Sequence, residues 1–530
     1  MNKVLHDMSD KTKIEIVTEQ DDVEDVEAAE DTNIVSDDKW EILNTADQML
    51  IGSNRLKHDS SSKASLTILK LAERLRIFKD QYGEIFVFYD GRVIPIDDNE
   101  FSELLVRLYF DLRGTFPSRN AVKKVVSLLS AKTKHEGETL DLCLRIAEKE
   151  EVIYYDMGGD RLVRVSRDGW SIEAVTPMFY SYLSHQRVQV EPVGGGDIWK
   201  LFKYLNVSEN FRLLLVCYIV SCFRPNIIKP ILHVVGGNGS GKSTLCRVLK
   251  DLVDPCRSEF TNILGNEADI LYSTLNNYYM IFDDVMDVPD NKSEFLLRLS
   301  NGLDFKRRGK VINVKLRNIC LNGSGWVLGK DDIRDHMLVL PLEPMEDGTG
   351  VSDDEFWGAF NADKPLILGA VLDILAQAMA TYQYCEDEIK TDLLPYTADV
   401  TAHMNDFAVF GAAVAVAIGY PYKDFLVGYC TNSQVRVDYI SRENRLLQSM
   451  VGFMSDKPKY ESLISTFYAA IKDCGTGFEG DRTFPKDDSK LMGALRKIED
   501  SLKAHGITFY RKVTNKGNRI TLIKEGAEVD

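Results

Sequence analysis

The stretch Ile231-Leu232-His233-Val234-Val235-Gly236-Gly237-Asn238-Gly239-Ser240-Gly241-Lys242-Ser243-Thr244 decides how this chain is read. An apolar run of strand length ends in a glycine-rich loop. An amphipathic segment with Leu245, Val248, Leu249 and Leu252 follows. The loop fits G-x-x-x-x-G-K-[ST] in the context that pattern needs, strand before and helix after. Glycines let the backbone turn its N–H groups inward around phosphate oxygens. The helix N-terminus adds partial positive charge. Gly236, Gly237, Asn238, Gly239, Ser240, Gly241, Lys242, Ser243 and Thr244 are therefore the expected nucleotide-binding residues. Lys242 is expected to reach the β- and γ-phosphates of ATP, and Ser243 to ligate Mg²⁺.

The next informative stretch lies downstream. Tyr278–Phe282 reads as a hydrophobic strand and ends in Asp283-Asp284. Two acids at the end of such a strand suit a metal-holding carboxylate, Asp283, and a carboxylate that orients or deprotonates water, Asp284. A further strand over Val314–Leu321 delivers Asn322 at its end. In a central parallel sheet, ligands bind at the carboxyl ends of the strands. Asn322 there can place the attacking water, or simply turn the chain before Gly323. Between these points, residues 304 to 317 carry six basic side chains and one acidic one on a chain of net charge −17. Lys306, Arg307, Arg308 and Lys310 read as a hairpin that meets nucleic-acid phosphates rather than bases. A solvated surface hairpin is the other reading. Arg334 precedes the apolar run Met337–Leu342. It can act as a finger on a neighbouring subunit's γ-phosphate, or pair with Asp331 or Asp335.

Bulk properties bound the remainder. The chain has 530 residues, 44% hydrophobic, with room for several cores. Its acidic balance excludes a general basic nucleic-acid coat, so basic clusters are informative where they occur. Nine cysteines are scattered without C-x-x-C or zinc spacing, and a reduced, cytoplasmic setting is expected. The apolar stretches, such as Phe407–Ile418, are too short to span a bilayer, so no membrane partner is expected. Residues 1–60 form an acidic tract poor in large apolar groups, expected to be disordered.

Residues 66–190 read as one small α+β accessory domain that docks or recognises, with a hairpin turning at Asp90-Gly91. Pro192–Gly196 reads as a linker, and 197–229 as a helical collar. The ATPase core is expected over 230–350 and an Ala-rich helical subdomain over 353–435. Residues 440–530 close the chain. Within them a helix, a strand, a basic turn and a strand outline a winged helix, with Lys512, Lys516 and Arg519 as DNA-binding candidates.

With Gly236–Thr244, Asp283-Asp284, the basic hairpin and Asn322 in that order, the chain resembles the superfamily 3 branch of AAA+ helicases. Within it, the chain resembles the P-loop ATPases of phages, plasmids and integrated elements, which are related to the helicase half of viral primase-helicases. The resemblance implies an α/β P-loop AAA+ core flanked by an N-terminal α+β domain and a C-terminal winged-helix-like domain. It implies a homo-hexameric ring that hydrolyses ATP with Mg²⁺ between subunits, with single-stranded DNA in the channel and duplex or fork DNA at the C-terminal domain. It also implies an ATP-dependent helicase or translocase in the replication of a mobile element, working with a primase or initiator in the cytoplasm of a prokaryotic cell or the host of a mobile element. Relatives often carry Asp-Asn where this chain has Asp283-Asp284, and two acids favour hydrolysis. They often carry an arginine where His336 stands, which leaves the finger open. A P-loop ATPase that assembles on ATP and recruits a loader, nuclease or defence effector without unwinding is the alternative.

Overall fold

The computed structural model describes residues 60–524 apart from 91, 159–160, 175–178, 181–184, 258–259, 264, 286–289, 308–309, 315, 324–335, 346–351, 392–404, 433–443, 474–483 and 515–516. The acidic tract, Arg308, Arg334 and Lys516 thus lie outside the described residues.

The chain begins with α1 (Ser60–Ala72), an antiparallel sheet of β1 (Arg76–Lys79), β2 (Ile85–Tyr89) and β3 (Arg92–Pro95), then α2 (Asn99–Arg113) and α3 (Arg119–Glu136). The β2–β3 hairpin pairs Tyr89 with Arg92 and turns through Asp90 at φ +54°. That left-handed geometry is one aspartate tolerates. These elements enclose their own core around Val87, Phe101, Leu105 and Leu129.

β4 (Leu142–Cys143), β5 (Ile146–Lys149), β6 (Val152–Gly158), β7 (Arg161–Ser166), β8 (Gly169–Glu173) and β9 (Phe179–Tyr180) follow. The sheet β5-β6-β7-β8 does not share the core of residues 60–136. Its inward residues Ile146, Ile153, Tyr155, Val163 and Val165 join the core of the downstream parallel-sheet unit. Residues 66–190, expected as one domain, are thus divided among separate cores. Strict alternation marks a strand with one buried face but does not say what covers that face.

A 3₁₀ segment, Ile198–Lys203, leads to α4 (Glu209–Cys222). Then come β10 (Ile231–Gly236), α5 (Lys242–Val253), α6 (Glu267–Asn276), β11 (Tyr279–Phe282), α7 (Asp290–Ser300), β12 (Leu303–Arg307), β13 (Lys310–Val314), β14 (Asn318–Gly323) and β15 (Met337–Leu342). Four of these strands form one sheet in the order β11-β14-β10-β15, every pair parallel. The molecule is therefore a mixed α/β protein built on a parallel sheet. All six residues of β10 are buried, which explains its continuous apolar run: a parallel strand is covered on both faces. Leu232 and Val234 face one core with Leu245, Leu249 and Leu252 of α5, while Ile231 and Val235 face the other.

Both edges of this sheet are covered. Asn432 accepts from Val339 N at 2.7 Å and donates to Val339 O at 2.9 Å, closing β15 with a side-chain amide. Beyond β11, Thr261 N donates to Ile281 O at 2.8 Å.

His233 stands on the Ile231–Val235 face and is fully buried; burial pulls its imidazole down to about 3. The folded value lies below the ordinary one near 6.5, so the unfolded chain takes up the proton first as pH falls. Stability is therefore complete above about pH 6.5 and is lost toward pH 3, by roughly 1.4 kcal/mol per pH unit from this group. Thermal melts of the wild type and His233→Leu across pH 7.5 to about 4.5 are expected to diverge, the variant losing less; parallel curves would contradict this.

The helical part comprises α8 (Asp353–Thr391), α9 (Asn405–Ala417) and α10 (Tyr422–Cys430). By length and composition Asp353–Lys390 is apolar enough to cross a membrane, unlike the shorter stretches noted in the sequence, and 56% of its apolar window is buried inside the protein. Pro365 lies within α8. The Pro192–Gly196 segment is laid against that helix: Val193 N donates to Pro365 O at 2.9 Å. A Cβ on Gly369 would stand 1.8 Å from Val193 O. This segment is a packed strap, fixed further by Asp373, which accepts from Trp170 Nε1 at 2.7 Å and Gly195 N at 3.0 Å.

The chain ends with α11 (Arg445–Phe453), β16 (Lys459–Leu463), α12 (Ile464–Asp473), α13 (Asp488–Lys497), α14 (Glu499–Ala504), β17 (Ile507–Thr514) and β18 (Gly517–Lys524). The strands form an antiparallel sheet, β16-β18-β17. Leu447, Phe467, Leu491, Leu495 and Ile520 share one core with Ile231, Phe282 and Val339 of the parallel sheet.

Candidate active site

At the carboxyl end of β10 the backbone leaves the sheet through glycines that no other residue replaces without strain. Gly239 and Gly241 sit at φ +75° and +85°. A Cβ on Gly236 would lie 2.6 Å from Leu342 O and 2.7 Å from Ser240 Oγ. The loop is held from within by Ser240 Oγ donating to Gly237 O at 2.9 Å. It is held from outside by Asn206, whose Nδ2 donates to Ser240 O at 3.1 Å and Glu343 O at 2.6 Å. Lys242 Nζ folds back on the loop, donating to Gly236 O at 2.9 Å and Gly237 O at 2.7 Å. Burial draws its ammonium below the ordinary value, opposed chiefly by the Asp283 carboxylate.

The strand order brings the other residues to the same place. β14 lies between β10 and β11, so Asn322 stands between Lys242 and the two acids. Asn322 is buried, and its Nδ2 donates to Ser243 Oγ at 3.1 Å and to Asp283 Oδ1. Val285 N donates to Asn322 O at 2.8 Å. This pins the turn in which Asp284 adopts φ +49°, a left-handed conformation that costs energy and clusters at functional sites. Asp284 is exposed and Asp283 half-buried. Residues 238–244, Asp283, Asp284, Asn322, Gly323 and Met345 line one cleft of about 480 Å³.

This donor set fits a magnesium nucleotide. A hydroxyl and a carboxylate, Ser243 and Asp283, suit a hard cation that keeps most of its waters. The Asn322 Oδ1 atom is buried without a hydrogen-bond partner, and a bound polar group would satisfy it. Gly236 leaves no room for a side chain where the loop turns.

Behind the site the elements are tied by buried charge. Asp254, fully buried after α5, accepts from Lys250 Nζ at 2.8 Å, Arg145 Nε at 3.2 Å, Tyr278 N at 2.9 Å and Tyr279 N at 3.1 Å. Burial works against its charge, but Lys250 and then Arg145 outweigh burial and hold the carboxyl well below its usual range. Arg145 also donates to Asp156 O, Arg187 O and Pro255 O, from a left-handed backbone at φ +57°. One carboxylate thus joins the base of α5, the start of β11 and the β5–β8 sheet. Asp251 forms a second tie, accepting from Lys364 Nζ at 2.6 Å and from Arg187 at 2.5 Å. Under the loop, the free thiols Cys246 and Cys320 lie 3.5 Å apart.

The basic candidates divide. Lys306, Arg307 and Lys310 lie on the antiparallel β12–β13 pair, with Arg307 opposite Lys310. Arg317, counted in the same basic run, is buried and donates to Thr274 O at 2.9 Å. At the other end, Lys512 stands opposite Arg519 across β17 and β18. Lys512 is exposed, whereas Arg519 donates to Glu461 at 2.9 Å. Sequence reading missed Asn206 and Met345. Asn206 is a single polar residue between Leu205 and Val207, and no local pattern marks it.

No curated protein matches the chain. Among solved structures, an apo form of the NrS-1 C-terminal region is 13% identical, over 73% of this chain and 93% of that one, at a TM-score of 0.34. A second structure of that region is 12% identical, over 87% and 100%, at 0.36. The SCCmec type IV Cch active helicase is 12% identical, over 85% and 93%, at 0.43. Residues 198–424, which hold the loop, both acids, the basic hairpin, Asn322 and the long helix, match the family model of the actinomycete integrative conjugative element replication protein.

Proposed function

We propose that this chain is an ATP-dependent DNA helicase or translocase acting in the replication of a mobile genetic element. In this reading its core is a P-loop AAA+ ATPase of the superfamily 3 type, and residues 440–530 are a winged-helix-like DNA-binding domain. The observation that carries the reading is Asn322, bonded to both Ser243 and Asp283 beside Lys242 and next to the strained Asp284. A phosphate cradle, a cation-holding pair, a base and a polar positioning group at the end of one parallel sheet constitute a hydrolytic nucleotide site. The family matched by residues 198–424 supports the replication role.

Bound MgATP supplies the phosphoanhydride and the cation that neutralises charge as the γ-phosphoryl group transfers. The chain does the rest. Backbone N–H groups of residues 237–244 hold the phosphates, and Lys242 exchanges its two loop carbonyls for phosphate oxygens. Ser243 and Asp283 hold Mg²⁺. Asp284 takes the proton of the attacking water, which Asn322 helps to place. In a homo-hexameric ring, Arg334 completes the neighbour's site. Lys306, Arg307, Arg308 and Lys310 face single-stranded DNA in the channel. Lys512, Lys516 and Arg519 engage duplex or fork DNA, with a primase or initiator as partner.

Steady-state ATP hydrolysis by the full chain, with and without single-stranded DNA, tests this reading. Hydrolysis stimulated severalfold by DNA, reduced at least about a hundredfold in Lys242→Ala and no longer stimulated in Arg308→Ala, is expected. Hydrolysis indifferent to DNA would overturn the helicase reading in favour of an ATP-gated switch.

A further inference from the structure

The region between Leu112 and His135 holds six lysines and arginines and no aspartate or glutamate, on a chain of net charge −17. The structure gives that run a shape. α2 ends at Gly114, whose φ of +66° lets its N–H close on Phe110 O at 2.7 Å. The chain then reverses, and Phe116 falls back on Phe110 with ring centroids 4.7 Å apart and planes 24° from parallel. Phe116 is 75% exposed and Phe110 40% exposed. Two stacked aromatic rings in water at the start of a helix contribute little to any core. The Phe101–Leu105 core of residues 60–136 does not include them.

Ser118 caps α3 by accepting from Ala121 N. That helix buries Val122, Val125 and Leu129 on one side. At 100° per residue, Arg119, Lys123 and Lys134 then fall within about 60° of one another, on a stripe that flanks the buried face. All three are exposed. The stripe runs about 22 Å from Arg119 to Lys134 at 1.5 Å per residue. Among the described residues, none of these three pairs with a carboxylate, whereas the flanking Lys132 pairs with Glu73 and Arg107 with Asp111. A solvated helix of ordinary design alternates charge sign along its face; this stripe does not.

We infer that this surface is a binding site for single-stranded nucleic acid, in which the Phe110–Phe116 stack receives a base and the Arg119–Lys123–Lys134 stripe receives the phosphates. The physical case is complementary on both counts. Aromatic faces accept any base, and a basic track that carries no competing acid follows a backbone. An exposed aromatic pair distinguishes this occupant from an acidic protein segment, which needs charge alone. The site lies outside the nucleotide cleft, so it stands or falls separately from the proposed hydrolysis.

The test uses the full chain and a fluorescein-labelled oligothymidylate that carries 5-iododeoxyuridine. Photocrosslinks are expected on the peptide Gly114–Arg119. Phe116→Ala is expected to weaken binding about tenfold, in line with loss of one stacked base. The Arg119→Glu/Lys123→Glu double variant is expected to flatten the salt dependence by about 1.4, two phosphates at about 0.7 each. Melting temperatures of the variants report whether the helix is intact. Crosslinks confined to other segments would overturn the proposal, as would unchanged affinity and salt slope in folded variants. Affinity that rises on charge reversal would overturn it in favour of an acidic segment of this chain seated on the stripe.

Discussion

Asp284→Asn is expected to lower the turnover of ATP hydrolysis between about a hundredfold and ten-thousandfold, the range over which a positioned general base acts. Nucleotide affinity is expected to stay close to that of the wild type. The substitution removes the proton acceptor of the proposed mechanism and little else. Asparagine tolerates the left-handed backbone that Asp284 occupies at φ +49°. The Val285 N to Asn322 O bond that holds the turn is made by main chain and is unaffected. Asp283 and Ser243 keep their places beside Asn322. Single-turnover hydrolysis and equilibrium binding of a non-hydrolysable ATP analogue separate the two effects. Turnover within about twofold of the wild type would remove Asp284 from the base role, because a general base contributes far more than that.

The second large effect lies in the scaffold. Asp254→Ala leaves Lys250 and Arg145 buried without their shared carboxylate and strips an acceptor from the N–H groups of Tyr278 and Tyr279. Breaking a buried ion pair by removing one partner costs about 3–5 kcal/mol. In a unit of this size that corresponds to a fall in melting temperature on the order of 10 °C. Asp254→Asn, which keeps one acceptor but loses the charge, is expected to fall between the alanine variant and the wild type. Differential scanning fluorimetry checks both. A melting temperature for Asp254→Ala within about 2 °C of the wild type would show that the three elements do not depend on this carboxylate. The acid limb carries the same sign. The folded carboxyl is held below its usual range, so its contribution is present above about pH 4 and is lost as pH falls further.

The two residues differ in how far sequence reveals them. Asp284 follows a four-residue apolar strand and stands 42 positions after Lys242, and both facts are local. The glycine loop is equally local, because the backbone conformations at Gly239 and Gly241 demand glycine wherever the rest of the chain goes. Asn322 is legible as a polar residue at the end of a strand. That β14 lies between β10 and β11, which brings Asn322 to Ser243, is a matter of strand order that no local pattern encodes. The observed strand also runs Asn318–Gly323, with Val314 belonging to the preceding hairpin, so its start differed from the expected one.

Asp254, Lys250 and Arg145 read in sequence as ordinary surface charges. Their burial depends on partners 109 residues apart, as Arg145 is from Asp254. Arg317 misleads in the same way, since its charge adds to a basic run from inside a core. The linker reading of Pro192–Gly196 rested on composition. The same glycines allow close approach to α8, and packing rather than composition decides between a tether and a strap.

In the proposed function, hydrolysis at Lys242, Asp284 and Asn322 drives strand separation. Displacement of a labelled strand from forked DNA by the full chain with ATP tests this coupling. Displacement is expected to need ATP and Mg²⁺, to fail with a non-hydrolysable analogue, and to be lost in Lys242→Ala and Asp284→Asn. Hydrolysis of ATP on that fork with no strand released would contradict it.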